Sequence, residues 1–354
     1  MQKLSNLNRA AIRKTIIATL LFAAVSPAQA ADVPPLKFDT AFETVDPYAQ
    51  TAAMHRGMNV LGWDPVWQDP SQGRFQPRHF ARLHDAGFDT VRVVLNAFPH
   101  MDDADRMDPA WLSTLDTMLT AAVQNGLTVI LDLHDVRLCG VDAETCKRKA
   151  NAFWTQIGTR YRDAPSSVIF EMMNEPHGAL TAPVWNAMLP EILATIRATN
   201  PTRNVIIGPA GWSSADQLAT FELPADDQHI IVTVHYYWPI TFTHQGAHWV
   251  TETSGLSGVT WGTPTDRAKV ATDFDAVKAW SDAHHRPIFL GEFGAYDRGD
   301  IVSRMRYDGT VARAAEARGF PWAYWQFDSD FIAYDMTTDD WVQPILYALV
   351  PPRG

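Results

Sequence analysis

Two glutamates in this sequence are each surrounded by apolar or small residues. Glu175 lies in the segment 172–176 (MMNEP), and Glu292 lies in the segment 290–294 (LGEFG). Burial of a carboxylate in such surroundings is unfavourable unless its charge is compensated or used. Glycoside hydrolysis needs two carboxyl groups, one that protonates the leaving oxygen and one that attacks or stabilises the anomeric centre. If the two glutamates face each other, this is the chemistry they indicate.

Eight short apolar segments alternate with helical patterns along the chain, and two of them end near these glutamates. Continuous runs of Val, Ile, Leu and Phe are typical of parallel strands covered by helices. The predicted strands are residues 57–63, 90–95, 128–134, 168–175, 204–209, 229–237, 287–294 and 320–327. The predicted helices are residues 77–86, 109–125, 147–162, 184–199, 265–284 and 301–318, with a short one at 213–220.

This alternation predicts an α/β fold, a single-domain (β/α)₈ TIM barrel. The structural alternative is an open doubly wound sheet, which normally carries a Gly-rich phosphate turn after its first strand. Here the corresponding segment, 61–65, reads LGWDP and has no G-x-G-x-x-G pattern. The closed barrel is therefore the favoured architecture.

Six of the eight predicted strands carry a polar or aromatic residue that belongs at one rim of the barrel. These residues are Arg92, His134, Asn174 with Glu175, His235 with Tyr237, Glu292 and Trp325. Catalytic groups in such barrels come from the carboxyl ends of the strands. We therefore predict that Glu175 and Glu292 face each other across the barrel mouth.

Some of these polar residues have a second interpretation. Arg92 is a natural partner to keep Glu292 ionised, with Tyr237 as a further donor, but Arg92 could instead pair only with Asp132 inside the barrel. His134 and His235, together with Asp132, could be metal ligands. The H-x-H motif on the first strand of many metal-dependent barrel hydrolases is missing, however, since His55 is followed by Arg56 and Gly57. The sequence therefore predicts no metal.

The chain contains 13 tryptophans, and six of them lie in predicted loops after strands: Trp63, Trp67, Trp212, Trp238, Trp249 and Trp261. Each could be a core residue, but a tryptophan at the active rim suits the flat apolar face of a pyranose ring. Of these six, Trp63 and Trp212 are the predicted substrate contacts.

The first thirty residues have the three parts of a secretory signal peptide. A basic head precedes an apolar stretch at 15–25, and the sequence Ala28-Gln29-Ala30 forms a cleavage pattern. The apolar stretch is too short for a membrane span. We predict cleavage after residue 30, a secreted or periplasmic protein, an exposed lead-in at 31–50 and a catalytic barrel at 51–354.

Charge and cysteine content are in keeping with this location. The net charge of −11 argues against nucleic acid or an anionic membrane as a partner. The only two cysteines, Cys139 and Cys146, predict a disulfide that closes a loop in an oxidising compartment.

With these motifs in their order, the chain resembles glycoside hydrolase family 5, a family of cellulase-like retaining barrel enzymes. The resemblance extends from the segment 56–59 (RGMN) to 324–327 (YWQF), and its most specific marks are 174–176 (NEP) and 291–294 (GEFG). It implies that Glu175 is the acid/base and Glu292 the nucleophile, and that neither a cofactor nor a metal is needed.

The resemblance also implies supporting roles for other rim residues. Asn174 would bind the 2-hydroxyl of the sugar under attack, and His134 would line its site. Arg92 and Tyr237 would support Glu292, while His235 would support Glu175. Trp325 would be the platform beneath the sugar.

The segment 235–246 (HYYWPITFTHQG) resembles bacterial members that act on cellulose. The leading expectation is an endo-β-1,4-glucanase with a β-glucan polysaccharide or oligosaccharide as its substrate. A β-1,3-glucanase, xyloglucanase or β-mannanase would use the same residues, as would an enzyme in which transglycosylation dominates. A non-catalytic glycan-binding barrel is the alternative from another class, although such proteins usually lose one carboxylate.

We expect the segment 137–147 to narrow one end of the cleft and favour cuts near chain ends. The oligomeric state is not predicted.

Overall fold

Eight parallel strands form a closed barrel in the computed structural model, which describes residues 36–352. Each strand pairs with the next along the chain, and β8 pairs with β1 to close the barrel. The strands are β1 Arg56–Val60, β2 Thr90–Leu95, β3 Thr128–Leu133, β4 Val168–Glu171, β5 Val205–Ile207, β6 Ile230–Tyr236, β7 Ile288–Phe293 and β8 Trp322–Tyr324. The predicted (β/α)₈ barrel is confirmed.

Helices lie between the strands, as the sequence pattern predicted. They are α1 Pro47–Met54, α2 Arg78–Ala86, α3 Pro109–Gln124, α4 Val136–Cys139, α5 Ala143–Arg160, α6 Ala182–Arg197, α7 Ile240–Thr243, α8 Pro264–His284, α9 Ile301–Glu316 and α10 Gln343–Leu349. The predicted short helix at 213–220 is a 3₁₀ helix, Ala215–Thr220. A hairpin of β9 Tyr334–Asp335 and β10 Asp340–Trp341 follows β8. The strands and helices that the sequence missed are short, so an apolar period is hard to detect in them.

Several strands end earlier than the sequence predicted, and this changes where two site residues lie. The predicted strand 168–175 ends at Glu171, so Asn174 and Glu175 belong to the loop that follows β4. Met172 and Met173, which lie between the end of β4 and Asn174, are both almost fully buried. The apolar pattern continued past the strand because these residues are still buried and still bound to the neighbouring strands. The Met172 N–H donates to the Ile206 carbonyl and the Asn174 N–H donates to the Leu133 carbonyl, both at 2.9 Å.

One layer of apolar side chains fills the barrel interior near the amino-terminal ends of the strands. Six strands contribute to this layer, and Met54 at the end of α1 packs against it; the strand residues are Ile130, Ile169, Ile206, Ile231, Phe289 and Ala323. All seven side chains are fully buried. Helix α1 therefore covers the amino-terminal end of the barrel, and the polar residues collect at the opposite end.

The disulfide between Cys139 and Cys146 is present, with an S–S distance of 2.03 Å. It joins the end of α4 to the first turn of α5, as the sequence predicted for a loop closure. The predicted signal peptide, residues 1–30, lies outside the described residues. Within 36–352, none of the helices has the length and apolar character that crossing a bilayer requires.

Candidate active site

Arg92 on β2 is the central cation of the site, and its side chain is fully buried. Its Nε and Nη2 atoms donate to the two oxygens of Glu171, at 2.7 and 2.8 Å. Nη1 donates to Glu292 Oε1 at 2.7 Å and to Asn59 Oδ1 at 2.9 Å. Nη2 also donates to Asn174 Oδ1 at 2.7 Å. All five N–H groups thus have acceptors, which fixes the guanidinium and the residues around it.

Arg92 pairs with both candidate partners, so the alternative that it pairs only with Asp132 is wrong. Its Nη2 atom lies 3.1 Å from Asp132 Oδ2, so the ion pair inside the barrel exists. The same guanidinium also reaches Glu292. Burial raises the pKa of Asp132 to about 7, and the attraction of Arg92 opposes that rise.

Glu292 lies on β7, where its carboxylate has two donors. Oε1 accepts from Arg92, and Oε2 accepts from the Tyr237 hydroxyl at 3.0 Å. Burial raises the pKa of Glu292, whereas the nearby His235 and Arg92 lower it. The two donated hydrogen bonds stabilise the ionised carboxylate, since an ionised group is the better acceptor.

A bulge between β6 and β7 brings Glu292 opposite His235. The register runs from Val234 opposite Leu290 to His235 opposite Glu292, so Gly291 is the extra residue on β7. A Cβ atom on Gly291 would lie 2.5 Å from Thr233 Oγ1 and 2.9 Å from His235 Nε2. Only glycine allows the two strands to approach this closely.

We expect Gly291→Ala to lower the free energy of unfolding by about 1–3 kcal/mol, the usual cost of an extra methyl group in a closely packed interior. Urea denaturation measures this difference. Gly255→Ala is the control, because a Cβ atom there meets nothing within 4 Å. Equal stability of the two variants would contradict the packing argument.

Glu175 lies in the loop after β4 and faces Glu292 from the other side of the mouth. Its Oε1 lies 2.7 Å from His235 Nδ1, and its side chain is 17% exposed against 6% for Glu292. Burial raises the pKa of Glu175 to about 7. Burial also lowers the pKa of His235 to about 4, so this histidine is neutral near pH 7. A raised carboxyl pKa favours a group that holds its proton near neutrality.

Carboxylate oxygens of Glu175 and Glu292 lie within 4.8 Å of each other, and His235 Nδ1 lies 2.7 Å from Glu175 Oε1 and 3.7 Å from Glu292 Oε2. These three groups could geometrically reach a shared cation. Arg92 already neutralises Glu292, however, and His235 Nδ1 is engaged with Glu175. We assign no metal to the site.

His134 at the end of β3 is held in one tautomer. Its Nδ1 atom lies 2.6 Å from Asp132 Oδ2, and its Nε2 atom lies 3.2 Å from Asn174 Nδ2. A carboxylate only accepts and an amide nitrogen only donates, so Nδ1 carries the proton and Nε2 accepts. Burial lowers the pKa of His134 to about 4, which keeps the ring neutral. Asn174 is thereby fixed between His134 and Arg92.

Aromatic side chains border this polar centre. Trp325 follows β8 and stacks on His134 with ring centroids 5.5 Å apart. Trp63 follows β1 and meets His134 edge to face at 6.4 Å, while the guanidinium of Arg137 lies 4.9 Å above the Trp63 ring. Trp212 follows β5 and stacks on His177 at 3.5 Å.

Exposure separates the six loop tryptophans into two groups. Trp67 and Trp261 are core residues, at 4% and 3% exposed. The other four present between 45% and 54% of their surface to solvent: Trp63, Trp212, Trp238 and Trp249. A loop position was therefore insufficient to identify a surface tryptophan.

Sequence reasoning missed two residues of the Arg92 network, Asn59 on β1 and Glu171 on β4. Asn59 Nδ2 also donates to the carbonyl of Gly291 at 3.0 Å, which fixes the bulge. Both side chains are fully buried. A polar residue inside an apolar strand was the available signal, and Glu171 in the run VIFE shows it.

The chain is similar to known proteins over most of its length. The family profile described as cellulase (glycosyl hydrolase family 5) matches residues 48–330. Endoglucanase H of Acetivibrio thermocellus is 30% identical over 327 residues, which cover 88% of this chain and 34% of that protein. Endoglucanase B of Clostridium cellulovorans is 26% identical over 76% of this chain and 64% of its own length. The chain thus spans between a third and two thirds of these two relatives.

Solved structures are similar over their whole length. The endoglucanase Cel5A of Thermotoga maritima has a TM-score of 0.82 and 34% identity, with 86% of this chain and 100% of that chain covered. The cellulose synthase subunit Z of Clostridioides difficile has a TM-score of 0.79 and 32% identity, with 84% and 99% covered. Because the family profile spans most of the sequence and the barrel agrees with it, the chain belongs to glycosyl hydrolase family 5, as predicted.

Proposed function

We propose that this protein is a retaining endo-β-1,4-glucanase that acts by double displacement. The observation that carries the proposal is the approach of Glu175 and Glu292 to within 4.8 Å. Retaining enzymes place their two carboxyl groups ~5–5.5 Å apart, whereas inverting enzymes need ~6.5–9.5 Å to admit a water molecule between them. The distance in this site supports retention.

The environments of the two glutamates support different roles for them. Glu292, held ionised by Arg92 and Tyr237, attacks the anomeric carbon and forms a covalent glycosyl–enzyme bond. Glu175, whose pKa burial raises to about 7, donates its proton to the departing oxygen. It then removes a proton from the water molecule that breaks the glycosyl–enzyme bond. His235 contacts Glu175 at 2.7 Å and orients its carboxyl group.

The residues around Glu175 and Glu292 support a binding site for the single sugar ring whose glycosidic bond is cleaved. Asn174 Nδ2 donates one hydrogen to His134, and its second hydrogen is assigned to the 2-hydroxyl of the sugar. Trp325 supplies the apolar face beneath that ring, and His134 borders it. Trp63 and Trp212, both about half exposed, supply stacking surfaces for the sugar rings on either side.

The substrate assignment draws on the similar proteins. The two relatives from Acetivibrio thermocellus and Clostridium cellulovorans are endoglucanases. Structures of the Thermotoga maritima enzyme are known with cellobiose and with mannotriose. We therefore propose a β-1,4-glucan as the main substrate, with β-1,4-mannan as the second candidate.

Product analysis on a panel of polymers tests this proposal. Carboxymethylcellulose, lichenan, laminarin, xyloglucan and mannan are compared by reducing ends released and by the length of the products. We expect the highest kcat/KM on the β-1,4-glucans, a rapid fall in viscosity from internal cuts, and β-anomeric products in early proton NMR spectra. Early α-anomeric products would overturn the mechanism, and activity on laminarin alone would overturn the substrate assignment.

We also propose that the enzyme acts outside the cytoplasm, with residues 1–30 removed, 31–50 as a lead-in and 51–354 as the catalytic unit. The basic head and the apolar stretch of the predicted signal peptide support export. The disulfide between Cys139 and Cys146 supports an oxidising compartment. The N-terminal sequence of the exported protein tests this proposal, and it should begin at Ala31.

We expect kcat/KM on cellotetraose to fall as pH rises through about 7. Burial raises the pKa of Glu175 to about 7, so the proton that the leaving oxygen needs is lost above this pH. A pH profile of kcat/KM measures the descending limb. Wild type assayed on the activated substrate 2,4-dinitrophenyl β-cellobioside, whose leaving group needs no proton, should lack that limb. A wild-type rate that still rises between pH 6 and 8 would contradict the assignment of the acid.

A further inference from the structure

We propose that His177 is a positioning residue that holds the proton donor Glu175 and the stacking surface of Trp212 in one arrangement. The inference rests on the proposed function, since it assigns a support to the acid/base residue. His177 lies two residues beyond Glu175 in the loop after β4, and its Nδ1 atom lies 2.7 Å from the backbone carbonyl of Glu175. A carbonyl oxygen only accepts, so Nδ1–H donates this hydrogen bond.

Two histidines therefore hold Glu175 at its two ends. His235 contacts the carboxyl group at 2.7 Å, and His177 binds the backbone carbonyl. Glu175 lies beyond the end of β4, one residue after the Asn174 N–H, which donates to the Leu133 carbonyl on β3 at 2.9 Å. The hydrogen bond from His177 holds the backbone at Glu175 itself.

The ring of His177 also fixes Trp212. The two rings are nearly parallel, with an interplanar angle of 12° and centroids 3.5 Å apart. The backbone N–H groups of Gly211 and Trp212 both donate to the carbonyl of Pro176, at 2.8 and 3.2 Å. One face of Trp212 is thus covered by His177, and 54% of its surface remains exposed for a sugar ring.

The segment closed by the disulfide supports the third side of the His177 ring. A Cβ atom on Gly140, the residue after Cys139, would lie 2.7 Å from His177 Nε2. The carbonyl of Gly140 accepts from the N–H of Ala179 at 2.8 Å. The histidine ring is therefore confined by the Glu175 carbonyl, the Trp212 ring and Gly140. A displaced acid loses rate because proton transfer needs hydrogen-bond distance to the leaving oxygen.

Two substitutions separate the hydrogen bond from the stacking contact. His177→Phe keeps a ring against Trp212 but removes the donor, and His177→Asn keeps an N–H donor near the position of Nδ1 but removes the ring. Each variant is assayed on cellotetraose, whose leaving group needs a proton, and on 2,4-dinitrophenyl β-cellobioside, whose leaving group does not. The value of kcat/KM reports the step in which the glycosidic bond breaks.

We expect His177→Phe to lose about 10-fold in kcat/KM on cellotetraose, the effect of one hydrogen bond, and to stay within about 3-fold of wild type on the dinitrophenyl substrate. His177→Asn should retain kcat on cellotetraose, with a KM raised about 3-fold or more by the less ordered Trp212. Equal losses of His177→Phe on both substrates would overturn the proposal, because a general structural defect gives that pattern. No loss on either substrate would overturn it as well.

His284→Phe is the matched control. His284 stacks on Trp280 at 4.2 Å and its Nδ1 atom lies 2.8 Å from the Trp280 carbonyl, but it is an exposed residue at the end of α8. Its substitution should leave both substrates unaffected. Failure of the proposed function itself would appear earlier, as a wild-type enzyme that cleaves neither substrate.

Discussion

Glu292→Gly is expected to lose about 10⁵-fold or more of kcat/KM on cellotetraose. The substitution removes the proposed nucleophile, and the neighbouring carboxylates of the Arg92 network cannot take its place. Glu171 and Asp132 are fully buried and paired with Arg92. The rate of reducing-end release, compared with that of wild type, measures the loss.

Azide should restore activity to Glu292→Gly on 2,4-dinitrophenyl β-cellobioside. The substitution leaves a space beside Arg92 and the Tyr237 hydroxyl, the two donors that bind Glu292, and a small anion fits it. Azide in that space attacks from the face that Glu292 used, so the product is the inverted α-glycosyl azide. Proton NMR of the product shows its anomeric configuration.

Glu175→Gly is the control for this assignment. Its nucleophile is intact, so the glycosyl–enzyme bond still forms with the activated substrate, and azide then attacks from the opposite face to give the β-glycosyl azide. A β-azide from Glu292→Gly, or full hydrolysis by either variant without azide, would show that the roles are wrongly assigned.

Arg92→Leu is expected to have the largest effect on stability, about 3–5 kcal/mol in the free energy of unfolding. Removal of this guanidinium leaves the buried carboxyl groups of Glu171, Asp132 and Glu292 without their cation. Burial already raises the pKa of each of them, and without Arg92 those pKa values rise further. A smaller fraction of Glu292 would then be ionised and able to act as the proposed nucleophile, so activity falls with stability. Arg92→Lys should restore little, because an ammonium group cannot contact all of these acceptors.

Arg203→Leu is the matched control for Arg92→Leu. Arg203 is 1% exposed, and its guanidinium donates to Asn200 and to five backbone carbonyls near the start of β4, away from the mouth. We expect it to lose stability in urea denaturation while the folded fraction keeps the wild-type kcat. An Arg92→Leu protein with wild-type stability and kcat would contradict the electrostatic account.

The barrel and the two glutamates could be predicted from the sequence because each depends on local pattern. An apolar run between two turns gives a strand wherever helices cover it, and β2 agrees with its predicted bounds at both ends. The carboxyl ends of parallel strands meet at one rim. Residues near the carboxyl ends of different strands, such as Glu175 after β4 and Glu292 on β7, are therefore brought to the same opening whatever the sequence between them.

The exact positions of the side chains in the site depend on tertiary contacts that a local sequence pattern does not reveal. The bulge at Gly291 is a property of two paired strands, and it decides that Glu292 lies opposite His235. Asn59 and Glu171 were missed because a single polar residue in a strand does not reveal its partner; both converge on Arg92 only when β1, β2 and β4 curve around the same axis.

The sequence by itself determined the fold, the family and the identity of the residues at the rim, since each follows from the order of apolar segments and short motifs. The tertiary structure decided the separation of the two carboxyl groups, the surroundings that raise the pKa of Glu175 to about 7, and which tryptophans face solvent. Distance and burial are set by all the elements that pack around a residue at once. For that reason they become known only when the barrel is closed.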